Sequence, residues 1–258
     1  MPDLFSLRGQ VALITGGSSG IGRATARAMG EAGAAVVVSS EDEAACRETA
    51  RDLQGQGIEA QAMPCDVRNR AGLAELVAGT VRHFGGLDAV VHAAGVAPHA
   101  GPMGEATEDE WALTMRVNLE AAWHLSTLVR GPLFARGSGS VTFVSSIAGV
   151  RGNRSLSVYG VSKAGVTQLA RNLAVEWGPQ HIRVNSVSPG LIRTAFARPM
   201  LERPEVMERR LALTPLRRGG EVHEVAGVVV MLASRAGAFI TGQNLIVDGG
   251  TTVGDGNP

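Results

Sequence analysis

Seven short runs of mostly small and β-branched residues recur along the chain, separated by longer stretches whose apolar residues fall three or four positions apart. The runs are VALIT (11–15), AVVVS (35–39), EAQAM (59–63), LDAVVHA (87–93), SVTFVS (140–145), IRVNSVS (182–188) and NLIVDG (244–249). Between them, Ile21, Ala24, Ala28 and Met29, or Leu73, Leu76, Val77 and Val81, mark the apolar faces of helices. A strand, a helix and another strand in succession demand a crossover, and a crossover makes the two strands parallel. VALIT and AVVVS are apolar on both faces, as a sheet covered by helices on both sides requires. The expectation is an α/β fold: a doubly wound, seven-stranded parallel sheet in a single domain spanning residues 1–258.

The rhythm breaks once. Residues 190–220 hold about 30 residues with three prolines and no strand before a helix expected over 221–233. An excursion of that length in a compact domain points to a substrate loop or lid. Helices are also expected over 105–131 and 158–178, the second ending at Gly178 and Pro179. Both carry more alanine, valine and leucine than one sheet can cover, which points to pairing with another subunit.

Composition narrows the partners. Equal numbers of basic and acidic residues, 24 of each, leave no net charge to attract nucleic acid or an anionic membrane. Arg203, Arg209, Arg210, Arg217 and Arg218 read as a solvated cluster. Cys46, Cys65 and six scattered histidines show neither metal-ligand spacing nor a disulfide pattern, so no metal site is expected. No apolar run reaches membrane-spanning length and the first ten residues do not read as a secretion signal, which points to a cytoplasmic protein with no membrane partner.

The chemistry begins where VALIT runs into GGSSGIG, a T-G-x-x-x-G-x-G spacing formed by Thr15, Gly16, Gly20 and Gly22. Glycine permits a tight turn and close approach of a pyrophosphate, and the first N–H groups of the following helix point at it. The sheet is therefore expected to be of Rossmann type and to bind a dinucleotide. About 20 residues on, where the adenosine ribose is read, stand Ser39, Ser40, Glu41, Asp42 and Glu43. Three carboxylates and no nearby cation before Arg47 repel a 2′-phosphate, which favours NAD(H) over NADP(H). Those acids also suit the N-terminus of the next helix.

Of the 24 basic residues one is Lys163 and the other 23 are arginine; the chain has one tyrosine, Tyr159. Four positions apart on one helix, the two side chains share a face. A fixed ammonium within about 4–6 Å of a phenol favours its ionised form, making it a usable acid and base. Thirteen residues before Tyr159, Ser145 and Ser146 end a strand at the sheet edge where such folds bind ligands.

Together these residues resemble the classical short-chain dehydrogenase/reductase family over essentially the whole chain. TGGSSGIG (15–22) is similar to its cofactor loop, CDV (65–67) to its adenine segment and RVNL (116–119) to its asparagine motif. SSIAG (145–149) with YGVSK (159–163) resembles its catalytic signature, SPGLIRT (188–194) its P-G-x-I-x-T segment, and GQNLIVDGG (242–250) its closing strand. The resemblance implies a hydride transfer between nicotinamide and a secondary alcohol or ketone, with Tyr159 as acid/base. Lys163 would hold the nicotinamide ribose and lower the Tyr159 pKa, and Ser146 would hold the substrate oxygen. Asn118 would kink its helix and carry a water between Lys163 and solvent. For the cofactor it implies contacts from Gly16, Ser18, Ser19, Gly20, Ile21 and Gly22 at the phosphates, with Ser40 and Glu41 at the ribose. Asp66 and Val67 would bracket adenine, Ala93, Ala94 and Gly95 would line the sugar, and Pro189, Gly190, Ile192 and Thr194 would meet the nicotinamide end, with Tyr159 and Lys163.

The family's N-N-A-G is HAAG here, so hydrogen bonding around His92 must differ, with the histidine buried and satisfied. Val96, Ala97, His99, Ile147, Arg151, Asn153, Leu191, Phe196 and Met200 are the expected substrate-pocket residues. Two other readings stand beside the leading one. The first is a 3-oxoacyl-thioester (acyl-carrier-protein) reductase using NADPH, and the second is a non-catalytic dinucleotide-binding regulatory protein on the same fold.

Overall fold

The computed structural model describes residues 4–254. Seven strands form one parallel sheet: β1 (Val11–Thr15), β2 (Ala35–Ser39), β3 (Ala60–Ala62), β4 (Ala89–His92), β5 (Gly139–Val144), β6 (Ile182–Pro189) and β7 (Asn244–Val247). Their order across the sheet is β3-β2-β1-β4-β5-β6-β7. The chain winds outward from β1 in one direction and from β4 in the other. The crevice where the winding reverses lies beyond Thr15 and His92, which are in register at the carboxyl ends of β1 and β4.

Side chains alternate between two apolar layers, as the strand period of two requires. Leu13, Val37, Val90, Val141 and Phe143 pack on one face under the helices α3 (Arg70–Phe84), α5 (Ala121–Arg136) and α6 (Ser157–Trp177). Ala12, Ile14, Val36, Val38 and Val91 pack on the other, under α1 (Gly20–Glu31), α2 (Glu43–Gly55) and α9 (Val222–Ala233). The Rossmann-type, doubly wound seven-stranded parallel sheet read from the sequence is thus the fold observed.

Two helical expectations are corrected. The stretch taken as one helix over 105–131 begins at a capping box between Thr107 and Glu110, forms α4 (Glu108–Met115), passes through a π turn over Arg116–Glu120 and continues as α5. Apolar spacing cannot register one inserted residue in a helical ladder. The stretch 190–220 is not one long loop: it holds α7 (Arg198–Leu201) and α8 (Pro204–Ala212), each with proline in its first turn.

One contact positions the site. A Cβ on Gly149 would lie 2.6 Å from the Ala164 nitrogen, and one on Gly160 would lie 2.7 Å from the Ala148 carbonyl oxygen. The two missing side chains let α6 lie directly on the 3₁₀ turn Ile147–Gly149 that follows β5. Gly149→Ala should therefore fold with a somewhat lower thermal midpoint but lose about tenfold or more in turnover, because lifting the helix moves Tyr159 away from Ser146. Thermal unfolding and steady-state rates on the same preparation check this; unchanged turnover would contradict it.

Candidate active site

The carboxyl edge of the sheet gathers most of the residues singled out above. The β1 loop meets the β4 loop at Gly16, where a Cβ would lie 2.5 Å from the Ala94 nitrogen, and Gly22 abuts the Gly16 carbonyl just as closely. Gly20 faces the Thr194 methyl across the crevice, where an added Cβ would be 3.4 Å away. Gly95 faces the Lys163 ammonium and the Asn118 side chain. The turn from Gly16 to Gly22 at the amino end of α1, the β4 loop and the segment after β6 thus border one groove with Lys163 at its floor.

Ser145 and Ser146 have different surroundings. The Ser145 hydroxyl donates to the Lys163 carbonyl at 2.8 Å and accepts from Thr167 at 3.0 Å, so it fastens α6 to β5. The Ser146 oxygen accepts from the Ala148 N–H at 3.1 Å, capping the 3₁₀ turn, and hydrogen-bonds Tyr159. Only Ser146 faces the phenol.

Lys163 is buried, and its Nζ donates to the Val144 carbonyl at 2.8 Å while lying 5.5 Å from the centre of the Tyr159 ring. Burial pulls the lysine pKa down to about 8. Burial also pushes the Tyr159 phenol up to about 12, with the Ser146 hydrogen bond working the other way. The expected lowering of the tyrosine pKa by Lys163 is therefore corrected for the protein alone: burial dominates both groups, and the ammonium is turned toward a backbone carbonyl. At neutral pH the phenol carries its proton.

Asn118 sits in the π turn, as the kink inferred from the family resemblance implied. Its side chain is fully used: Oδ1 accepts from the Val96 N–H at 2.8 Å, and Nδ2 donates to the Val96 carbonyl and to the Ser162 hydroxyl, both at 2.9 Å. It clamps the β4 loop to α6. His92 is buried, shares a 2.8 Å hydrogen bond from Nδ1 with the Thr15 hydroxyl, and is pushed down to about 3 first by burial and then by the Lys163 charge. A neutral ring bridging β1 and β4 carries no proton-transfer role near neutral pH. Its Nε2 lacks a well-aligned partner, so the histidine is only half satisfied.

Around the adenosine end, the three acids part company. Asp42 caps α2 by accepting from the Ala45 N–H at 2.9 Å, and Glu43 pairs with Arg47. Glu41 alone stays beside Ser40 at the end of β2. Val67 is buried beneath. Asp66 receives both Nε and Nη2 of Arg68, which holds its carboxyl below the ordinary range, and the Glu41 charge acts on the same guanidinium. Arg68 escaped the sequence reading, which sought a cation only along the strand that ends at Ser39. Its place directly after CDV was the available signal.

Toward the substrate side, Ile192 is buried and pairs with Gly220, Thr194 caps its own turn by accepting from the Ala197 N–H, and Phe196 stands 5.8 Å from the Tyr159 ring. His99 is a correction. It is buried with Nδ1 facing Glu110 at 3.3 Å and Nε2 facing the Pro102 carbonyl at 3.0 Å, so it braces the 99–110 loop. Asn153 likewise turns inward, accepting from the N–H groups of Ser155 and Leu156.

A family model described as enoyl-(acyl carrier protein) reductase matches residues 16–252. A tropinone reductase homolog of Arabidopsis thaliana is 38% identical over 254 residues, covering 96% of this chain and 93% of its own. The chain is a short-chain dehydrogenase/reductase. A gluconate 5-dehydrogenase from Burkholderia cenocepacia, solved with NADP and tartrate, is similar to this short-chain dehydrogenase/reductase with a TM-score of 0.94 and 31% identity over 97% of this chain and 98% of that one. A 7α-hydroxysteroid dehydrogenase, solved with NADH and a 7-oxo bile acid, has a TM-score of 0.92 and 31% identity, covering 97% of each chain. The protein is thus an NAD(P)-dependent oxidoreductase acting between alcohols and ketones. The residues present suit that cofactor: a glycine turn into which a side chain would clash, and a buried ammonium with two N–H donors left over from Val144.

Because Tyr159 is the sole tyrosine, phenolate absorbance reports it alone. In the free protein the absorbance should stay flat through pH ~10, where an ordinary tyrosine is half ionised, and rise only toward about 12. A midpoint at or below ~10 would mean that Lys163 overrides burial.

Proposed function

We propose that Tyr159 is the general acid and base of this oxidoreductase, with Ser146 holding the substrate oxygen and Lys163 holding the ribose beside it. The convergence of Ser146, Tyr159 and Lys163 at one edge of the sheet carries the reading. A bound nicotinamide supplies or accepts the hydride. In the reducing direction the protonated phenol donates to a carbonyl oxygen that already accepts a hydrogen bond from Ser146. Lys163, with two donors free, holds the ribose hydroxyls and passes a proton to the phenol. The π turn around Asn118 interrupts the regular helical ladder beside Lys163, which supports a water between Lys163 and solvent. The segment 190–220 acts as the substrate lid, with Phe196 against Tyr159 as its apolar contact.

For the cofactor, the reading is a preference for NAD(H). Glu41 stands at the ribose edge, and the nearby cation Arg68 is already engaged by Asp66, so a 2′-phosphate would have to displace a carboxylate to gain a partner. Exposed Trp111, Trp123, Val161 and Val175 on α4, α5 and α6 support a homotetramer. Both cysteines are free thiols, which suits a reducing cytoplasm.

The name of the matching family model favours a carrier-protein thioester as the second reading. An acidic carrier needs a basic docking face, yet Arg193, Arg198 and Arg203 each have a carboxylate partner on this protein, which weighs against it.

Tyr159→Phe should bind the dinucleotide with unchanged affinity while losing hydride transfer by 10²-fold or more, read by cofactor fluorescence and by absorbance of the reduced nicotinamide. Retained turnover would remove the phenol from the mechanism. The native enzyme should favour NADH over NADPH in kcat/KM, and Glu41→Ala should shift that ratio toward NADPH by on the order of tenfold. A native preference for NADPH would refute the role given to Glu41.

A further inference from the structure

Seven arginines lie on or beside the lid segment: 193, 198, 203, 209, 210, 217 and 218. Four have carboxylate partners: Arg193 with Glu221, Arg198 with Glu202, Arg203 with Glu205 and Arg218 with Glu224, at 3.1, 3.9, 3.3 and 2.5 Å. Arg217 donates to the Ala212 carbonyl, and Arg209 is exposed. Arg210 differs from all of these. It is half-buried on α8, and among the described residues its side chain has no hydrogen-bond or ion-pair partner.

Its surroundings tie it to the catalytic turn. The Thr214 hydroxyl donates to the Arg210 carbonyl at 2.8 Å and shares a 3.1 Å hydrogen bond with the Thr251 hydroxyl. The Thr251 carbonyl accepts from Arg151 Nη1 at 3.2 Å. Arg151 follows Ser146 by five residues, and its backbone N–H closes the 3₁₀ turn onto the Ile147 carbonyl. Three segments therefore meet here: the turn after β5, the carboxyl end of α8, and the turn after β7.

Among the described residues neither cation has a neutralising acid. Burial and the Arg151 charge both work against the charged form of Arg210, and no carboxylate acts in the other direction. Asp248, in the same turn, spends its oxygens on the N–H groups of Gly250 and Thr252. Glu205 is held by Arg203, and Glu208 lies two positions from Arg210, off its helical face. The Thr252 hydroxyl is buried without a partner as well. Two guanidinium groups that act on each other across this junction, one of them half out of water and neither offset by an acid among the described residues, are costly unless an anion joins them. Guanidinium matches a carboxylate through paired N–H donors.

We propose that Arg151 and Arg210 form an anion clamp beside the catalytic turn that selects alcohol and ketone substrates carrying a carboxylate. This inference rests on the oxidoreductase reading and names the substrate class of the same site.

The test compares levulinate, a ketone bearing a carboxylate, with its methyl ester. Reduction rates are measured with either reduced dinucleotide, and binding is measured by calorimetry with the oxidised dinucleotide present. The native enzyme should favour the acid by about tenfold or more, in kcat/KM or in affinity. Arg151→Gln and Arg210→Gln should each bring that acid-to-ester ratio to within about twofold of one, acting through KM, while Arg210→Lys restores part of it. Equal handling of acid and ester by the native enzyme, or a ratio that survives both glutamine variants, would overturn the clamp. Arginine-dependent binding of levulinate by an enzyme that turns over no alcohol or ketone would instead sustain the clamp and sink the catalytic roles given to Tyr159 and Ser146. Normal turnover without the charge preference would do the reverse.

Discussion

The seating of α6 on the end of β5 governs this protein's chemistry. Gly149 and Gly160 remove the two side chains that would hold the helix off, and the Ser145 hydroxyl then reaches the Lys163 carbonyl. Because Tyr159 and Lys163 are one turn apart on that helix, a single docking event brings the phenol to Ser146 and the ammonium to Val144. Asn118 extends the same clamp to the β4 loop through Val96 and Ser162. Backbone-to-backbone contact of this kind is rigid, and rigidity is what holds reacting groups to a fraction of an ångström.

Desolvation sets the charge states at the site. The same burial raises the Tyr159 pKa, lowers that of Lys163 and keeps His92 neutral. A protonated phenol is ready to act as an acid, the state that ketone reduction uses. Taking up a proton from an alcohol needs the opposite state, which the positive charge of an oxidised nicotinamide would favour if bound near the phenol. Half-buried Arg210 follows the same physics, since burial and the Arg151 charge both work against its charged form.

Much of this was legible in the letters. Alternating periods of two and about 3.6 forced a parallel sheet, and the lone tyrosine and lysine at helical spacing marked the α6 face that meets the end of β5. What escaped involved contacts between distant segments. His99 reads as a pocket residue by position, yet Glu110 and the Pro102 carbonyl draw it into the loop. Glu41, Asp42 and Glu43 read as one acidic cluster, yet Asp42 serves the α2 cap and Glu43 serves Arg47. Arg68 lies in another strand's loop and reaches the same corner only because β2 and β3 are neighbours.

The sequence by itself determined the sheet order's parallel character, the glycine turn at the first helix and the pairing of Tyr159 with Lys163, because each follows from local spacing and backbone sterics. The tertiary structure alone decided which serine faces the phenol, where the π turn interrupts the helix, which arginines are neutralised and which way the phenol's proton affinity moves. Those outcomes depend on burial and on groups more than a helix length apart in the chain, and neither quantity is written in local spacing.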